Sequence, residues 1–206
     1  MSCICTGTSF GSGDAGFYVG NSPKADFTIQ NNIAFSDLWG ILVRDSATGS
    51  VTGNILQDNC SGLVFLNTGT STGVDNWQAS HNIAAHNDKF CPANVTGLPF
   101  TLTGIGVLIA GGDHIVLREN TVRANQPSGH PTVIDGVALA GGIVVVSTAS
   151  VSVFPAYYGS VASHNIILNN AVLDNQPFDL VYDGLGTDNH FVSNMCGRSS
   201  PAGLCR

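Results

Sequence analysis

The stretch GNILQDNCSGLVFLN, residues 53–67, sets two asparagines five residues apart, follows them with a glycine, and ends in an apolar run too short for a helix. The same order returns along the chain. An apolar residue, two variable residues and an Asn occur as IQNN at 29–32, VTGN at 51–54, ASHN at 79–82, LREN at 117–120, ILNN at 167–170 and FVSN at 191–194. Five residues after most of these asparagines stands a second short polar residue: Asp37, Asn59, Asn87, Asn125 and Asn175. Strands then begin at Gly40, Gly62, Gly106, Gly142 and Phe178, with an earlier one at Gly16. The motif asparagines are 22, 28, 38, 50 and 24 residues apart, so a core unit near 22 residues carries insertions. A fixed motif at a variable period is the mark of a solenoid.

Each unit is rich in Val and Ile, is bounded by Gly, Asn, Asp and Ser, and has no sustained 3.6-residue period, which excludes helical repeats. Such a unit cannot bury its own apolar face, but stacked coils joined by parallel pairing can. At stacked corners about 4.8 Å apart, an Asn amide can bond the Asn above and below, and Asn tolerates left-handed backbone angles. The motif asparagines are therefore expected to be structural.

Composition limits what the solenoid can do. Only 10% of the 206 residues are charged, the net charge is -7, and seven residues are Lys or Arg. A nucleic-acid groove or an anionic membrane surface needs clustered cations, so neither partner is expected. No apolar run approaches the ~20 residues of a membrane span. The first fifteen residues lack the basic start and apolar centre of an export signal.

Cys196 and Cys205 bracket a Gly/Ser/Pro loop that a disulfide would stabilise by about 2.5–3 kcal/mol. Cys60 and Cys91 stand just beyond equivalent corner asparagines on adjacent coils, so their sulfurs are expected to meet. Both pairs favour an oxidising compartment, and the placement expected is extracellular, with the signal absent from this chain. Cys3 and Cys5 are left unassigned. Their single-residue spacing does not suit zinc, and neither a metal site nor a cofactor is expected.

These residues resemble right-handed parallel β-helix repeat proteins of the pectate-lyase-like superfamily. The likeness is to secreted bacterial members of unassigned function that end in an Asn, a Cys, a small-residue loop and Gly-Leu-Cys, here NMCGRSSPAGLC. It implies an all-β, single-stranded right-handed parallel β-helix of about six coils. One domain is expected over 1–206: a cap at 1–15, coils over 16–184 with insertions near 67–76, 88–105, 126–141 and 147–160, and a last coil with a Cys-bracketed cap at 185–206. The superfamily supports lyases, hydrolases, epimerases, adhesins and scaffolds on one frame, so fold alone does not give function. Its enzyme signatures are missing here: there is no Asp-Asp pair, no Arg-x-Lys, no clustered acids for calcium, and SGHP around His130 lacks a second Gly.

Function is therefore sought in stacked positions. One residue before the motif Asn stand His81 and Glu119, and four after it stand Asp58 and His86, each pair on consecutive coils. His–carboxylate pairs of this kind suit general acid–base work, with Arg118 and Arg123 on the same coil as Glu119, although solvated surface ladders are the competing reading. His114, His130, His164 and His190 share no such position and are expected to be ordinary surface or loop residues. In the Gly-led strands, Val43, Phe65, Ile109, Val145 and Val181 are assigned to the interior, and Leu42, Val64, Leu108, Val144 and Leu180 form an outward aliphatic column. Such a stripe is usually covered or used, by a ligand or by a second subunit.

Insertions 88–105 and 126–141 leave successive coils at one corner and must be neighbours. If they wall a groove beside the column, Asp88, Lys89, His130 and Asp135 are its polar groups; if they close over it, the column is an accessory core. A third loop brings Phe154, Tyr157 and Tyr158, suited to stacking on a sugar ring or to covering an apolar end. The expected role is an extracellular binding or scaffold module, and the resemblance in fold alone implies a carbohydrate or other cell-envelope ligand. A carbohydrate-active enzyme with a non-standard site and self-assembly through the aliphatic column are the alternatives.

Overall fold

Alternating apolar residues run for only three to six positions before a corner residue ends them, and each coil accordingly yields three short strands. A computed structural model describes residues 15–24, 26–96, 100–134, 136–148 and 159–205. The second full coil has Ser61–Leu66, Asp75–Ser80 and Ile83–Ala85. In the coil before it the first two strands run together as Trp39–Thr52. Equivalent strands pair in parallel from coil to coil, which winds the chain into a three-faced parallel β-helix. The first face runs from Ala15–Ser22 to Ser199–Ser200, the second from Phe27–Gln30 to His190–Val192, and the third from Ile33–Phe35 to Met195–Cys196. Among the described residues the one helix is the four-residue Ala93–Thr96, and no helix is long and apolar enough to cross a membrane.

The motif asparagines form a continuous ladder between the second and third faces. Asn82 donates from Nδ2 to Asn120 Oδ1 (3.0 Å) and to Val51 O (2.8 Å), while its Oδ1 accepts from the Nδ2 and the backbone N–H of Asn54, both at 2.9 Å. All four hydrogen-bonding positions of the amide are used. The carbonyl of the apolar residue three positions before the motif Asn is bonded in the same way in each coil, from Ile29 to Ile167. That residue's side chain enters the core while its carbonyl anchors the next rung. A second ladder runs from Asp37 through Asn59, Asn87, Asn125 and Asn175 to Asp179 between the third and first faces. Glycine follows it because a Cβ on Gly62 would stand 2.5 Å from Gly106 O and 3.0 Å from Asn87 Nδ2.

One expectation about these corners needs correction. The left-handed residue is the one before each ladder Asn: Asn31, Gly53, His81, Glu119, Asn169 and Ser193, with φ between 52° and 67°. The ladder Asn itself turns inward to its partners. Left-handed backbone at the preceding position throws that side chain outward in each coil but the one that has Gly53 there.

The interior holds Ile41, Val43, Leu63, Phe65, Val107, Ile109, Ile143, Val145 and Leu180 among others, with Trp77 fully buried beside Phe65. Each such aliphatic or aromatic side chain stabilises the fold by about 1.5–3 kcal/mol. Val145 lies opposite Tyr182 and Val144 opposite Val181. Leu180 therefore points in and Val181 out, the reverse of the sequence assignment. The corner from Asn175 to Asp179 holds one residue more than the corner from Asn59 to Gly62, and a one-residue slip exchanges the two faces of a strand.

The outward column on the first face is Leu42, Val64, Leu108, Val144 and Val181, at 5%, 2%, 4%, 0% and 2% exposure. It is an accessory core. Phe100 and Leu102 from the first insertion, and Ile134 and Leu139 from the second, pack onto it with Trp39 and Leu66. The insertions are neighbours: Thr101 N–H donates to Thr132 Oγ1 (3.0 Å) and Ser128 N–H to Thr103 Oγ1 (2.9 Å). Cys60 and Cys91 form a disulfide, Cα atoms 6.0 Å apart, that fastens the first insertion to the corner of the first face. Cys196 and Cys205 form the second, at 5.3 Å.

Candidate functional site

Closure of the first face changes which residues can meet a ligand. Leu42, Val64, Leu108 and Val144 have no solvent face, so they neither line a groove nor offer a surface to a second subunit. Asp88 and Lys89 tie the insertions down. Asp88 accepts Gln126 N–H at 2.5 Å, and Lys89 Nζ donates to Ser36 O. Partial burial raises the Asp88 pKa above the usual carboxylate value and lowers that of Lys89. His130 is exposed on the second insertion. Asp135, Phe154, Tyr157 and Tyr158 lie outside the described residues, as do Cys3 and Cys5.

The second face is the one whose outward columns are mainly polar. Thr28, Ser50, Gln78, Val116, Ile166 and His190 lie in one register, and Gln30, Thr52, Ser80, Arg118, Leu168 and Val192 in the next. Left-handed corner residues border it on both sides.

On the edge toward the third face, His81 Nε2 lies 3.0 Å from Glu119 Oε2, and Arg118 Nη1 lies 3.2 Å from the same oxygen. These three residues of the sequence reading do come together. Asp58 and His86 stack at the next corner, with φ of 57° and 53°, but form no ion pair among the described residues. Arg123 is on the third face, between Ala85 and Leu173, and it too forms no ion pair among the described residues.

On the edge toward the first face stands a cluster that the sequence reading missed. Asn76, His114, His164 and Asp188 are all left-handed, with φ of 56°, 49°, 54° and 55°, and occupy one corner of four consecutive coils. The His114 and His164 rings stack, centroids 4.7 Å apart and 10° from parallel. Both turn Nδ1 toward Asp113 Oδ1, His164 at 2.8 Å and His114 at 3.4 Å. Asp75 Oδ1 is 3.2 Å from His114 Nδ1, and Asp188 Oδ2 is 3.7 Å from His164 Nε2. The hydrogen bond from His164 to Asp113 raises the His164 pKa above the ordinary histidine value. The signal was present in the sequence: all four residues stand six before a motif Asn, and counting from positions one before and four after does not find them. A short third ladder accompanies them, with Asn165 Nδ2 donating to Asn189 Oδ1 at 2.9 Å.

A family model described as "Right handed beta helix region" matches residues 2–155. No curated protein and no solved structure matches the chain.

Proposed function

We propose, for a chain that belongs to the right-handed β-helix family, an extracellular binding module that holds carbohydrate along its second face. The observation that supports this most is the contrast between the two broad faces. The chain's own loops seal the aliphatic one, and the polar one keeps exposed Gln78 and half-buried Ser50, Thr52 and Arg118 in columns that repeat from coil to coil. A polymer lying along the helix axis would meet Thr28, Ser50 and Gln78 in one register over three successive coils, and Val116 and Ile166 beyond them offer apolar patches for ring faces. The two disulfides favour the cell exterior. His81 and Glu119 at 3.0 Å support a second reading, a carbohydrate-active enzyme in which this pair exchanges a proton with substrate.

One experiment addresses both readings. The full chain is screened on an array of neutral and uronate glycans, and the best ligand is titrated against wild type and a Gln78→Ala/Arg118→Ala variant. Binding should fall at least about tenfold, with melting unchanged because both side chains are on the surface. Absence of any glycan ligand, or full binding by the variant, would overturn the proposal. New reducing ends or unsaturated uronate in the same incubations, abolished by Glu119→Gln, would establish the enzyme reading instead.

A further inference from the structure

We propose that His114, His164 and Asp113 bind a divalent first-row transition metal ion, with Zn²⁺ as the reference ion. One donor atom from each of the three residues lies within 4.8 Å of the other two. The nitrogens stand 2.8 Å and 3.4 Å from Asp113 Oδ1. Ligands held ~2.0–2.1 Å from a tetrahedral zinc ion are about 3.3 Å apart, so both nitrogen–oxygen separations lie within about 0.5 Å of that value.

Three further features fit the assignment. Asp113 Oδ1 is held in place by the His114 backbone N–H, 3.1 Å away, so the carboxylate is oriented before any ion arrives. Asp188 lies on the far side of His164, 3.7 Å from Nε2, where an outer carboxylate would hold the Nε2 proton once an ion replaces the proton that Nδ1 shares with Asp113. Asp75 is within reach as a fourth ligand. Two imidazoles with carboxylate oxygen select zinc, cobalt, nickel or copper over magnesium and calcium, which take oxygen ligands.

The rings are nearly parallel, so one must turn about its Cβ–Cγ bond for both lone pairs to meet a single ion. Side-chain exposures of 52% for His114 and 42% for His164 leave that rotation free. Their position on an open edge lets either Asp75 or a water fill the fourth tetrahedral position. The site borders the second face, but it rests on its own geometry and does not require that a glycan bind there.

The test uses the full, disulfide-bonded chain after treatment with chelator. Zn²⁺ is titrated calorimetrically, Co²⁺ by visible absorption, and the imidazole nitrogens are followed by NMR. One saturable ion per chain is expected, with both Nδ1 resonances shifted and the tetrahedral cobalt spectrum lost on adding zinc. His114→Asn and His164→Asn should each weaken zinc binding by at least about tenfold. Asn keeps the left-handed backbone, as Asn76 does at the equivalent corner with φ of 56°. His81→Asn, at the opposite edge, should leave affinity unchanged. Asp113→Asn retains the acceptor for the His114 amide and serves as a second variant if a histidine variant does not fold. Failure of the wild type to bind zinc or cobalt saturably, or undiminished affinity after both histidines are replaced, would overturn the assignment.

Discussion

Asn120 accepts twice through Oδ1, from the Nδ2 and backbone N–H of Asn82, and donates twice through Nδ2, to Ala79 O and Asn170 Oδ1. A side chain with acceptors alone cannot hold that position. Asp179 occupies the end of the second ladder because the requirement there is different: Oδ1 accepts from Asn175, and Oδ2 accepts the backbone N–H groups of Gly197 and Arg198 at 2.9 Å and 3.1 Å. The two sites therefore predict opposite preferences. Asn120→Asp should destabilise the fold, since it places oxygen against Asn170 Oδ1 in a buried site. Asp179→Asn should also destabilise it, by about 1–3 kcal/mol, because its amide would confront two backbone donors. Urea unfolding of both variants checks this, and an Asp179→Asn protein as stable as wild type would contradict the ladder polarity. The ladder itself was legible in the sequence, because a polar residue that must recur at each coil shows its period. The His114 and His164 stack recurs in the same way, but across only two coils and with Asn and Asp at the ends, so it is visible only once the backbone supplies the offset.

The insertions behave as a second layer, and here the sequence carried the parts without their assembly. The outward column, the common corner of the two loops and the Cys60–Cys91 link could all be read from spacing. Whether the loops wall the column or close on it depends on how Phe100, Leu102, Ile134 and Leu139 fit between Trp39, Val64 and Leu108, which no spacing reports. The exchange of Leu180 and Val181 has the same origin, a corner one residue longer that only the paired strands reveal. Closure predicts the fate of a charge placed beneath the loops. Val64→Asp, a carboxylate at a site 2% exposed, should lower stability by more than about 3 kcal/mol, because the residues clustered around it are apolar. Thermal denaturation gives the loss, and an unchanged melting temperature would mean that the column is open.

The whole molecule has two cores that share the first face as a common wall: the interior of the coils on one side and the loop-covered column on the other. Two apolar layers protect that sheet, and the second face is left as the broad polar surface, edged by His81 and Glu119 on one side and by Asp75, Asp113, His114 and His164 on the other. The division into a sealed face and an open face is the central claim. Hydroxyl-radical footprinting of the native chain, read by mass spectrometry at each residue, measures it directly. Val64 and Leu108 should be modified far more slowly than Ile166 and Val192, which stand 37% and 44% exposed on the second face. Modification of Val64 and Leu108 as fast as that of Ile166 would contradict the account.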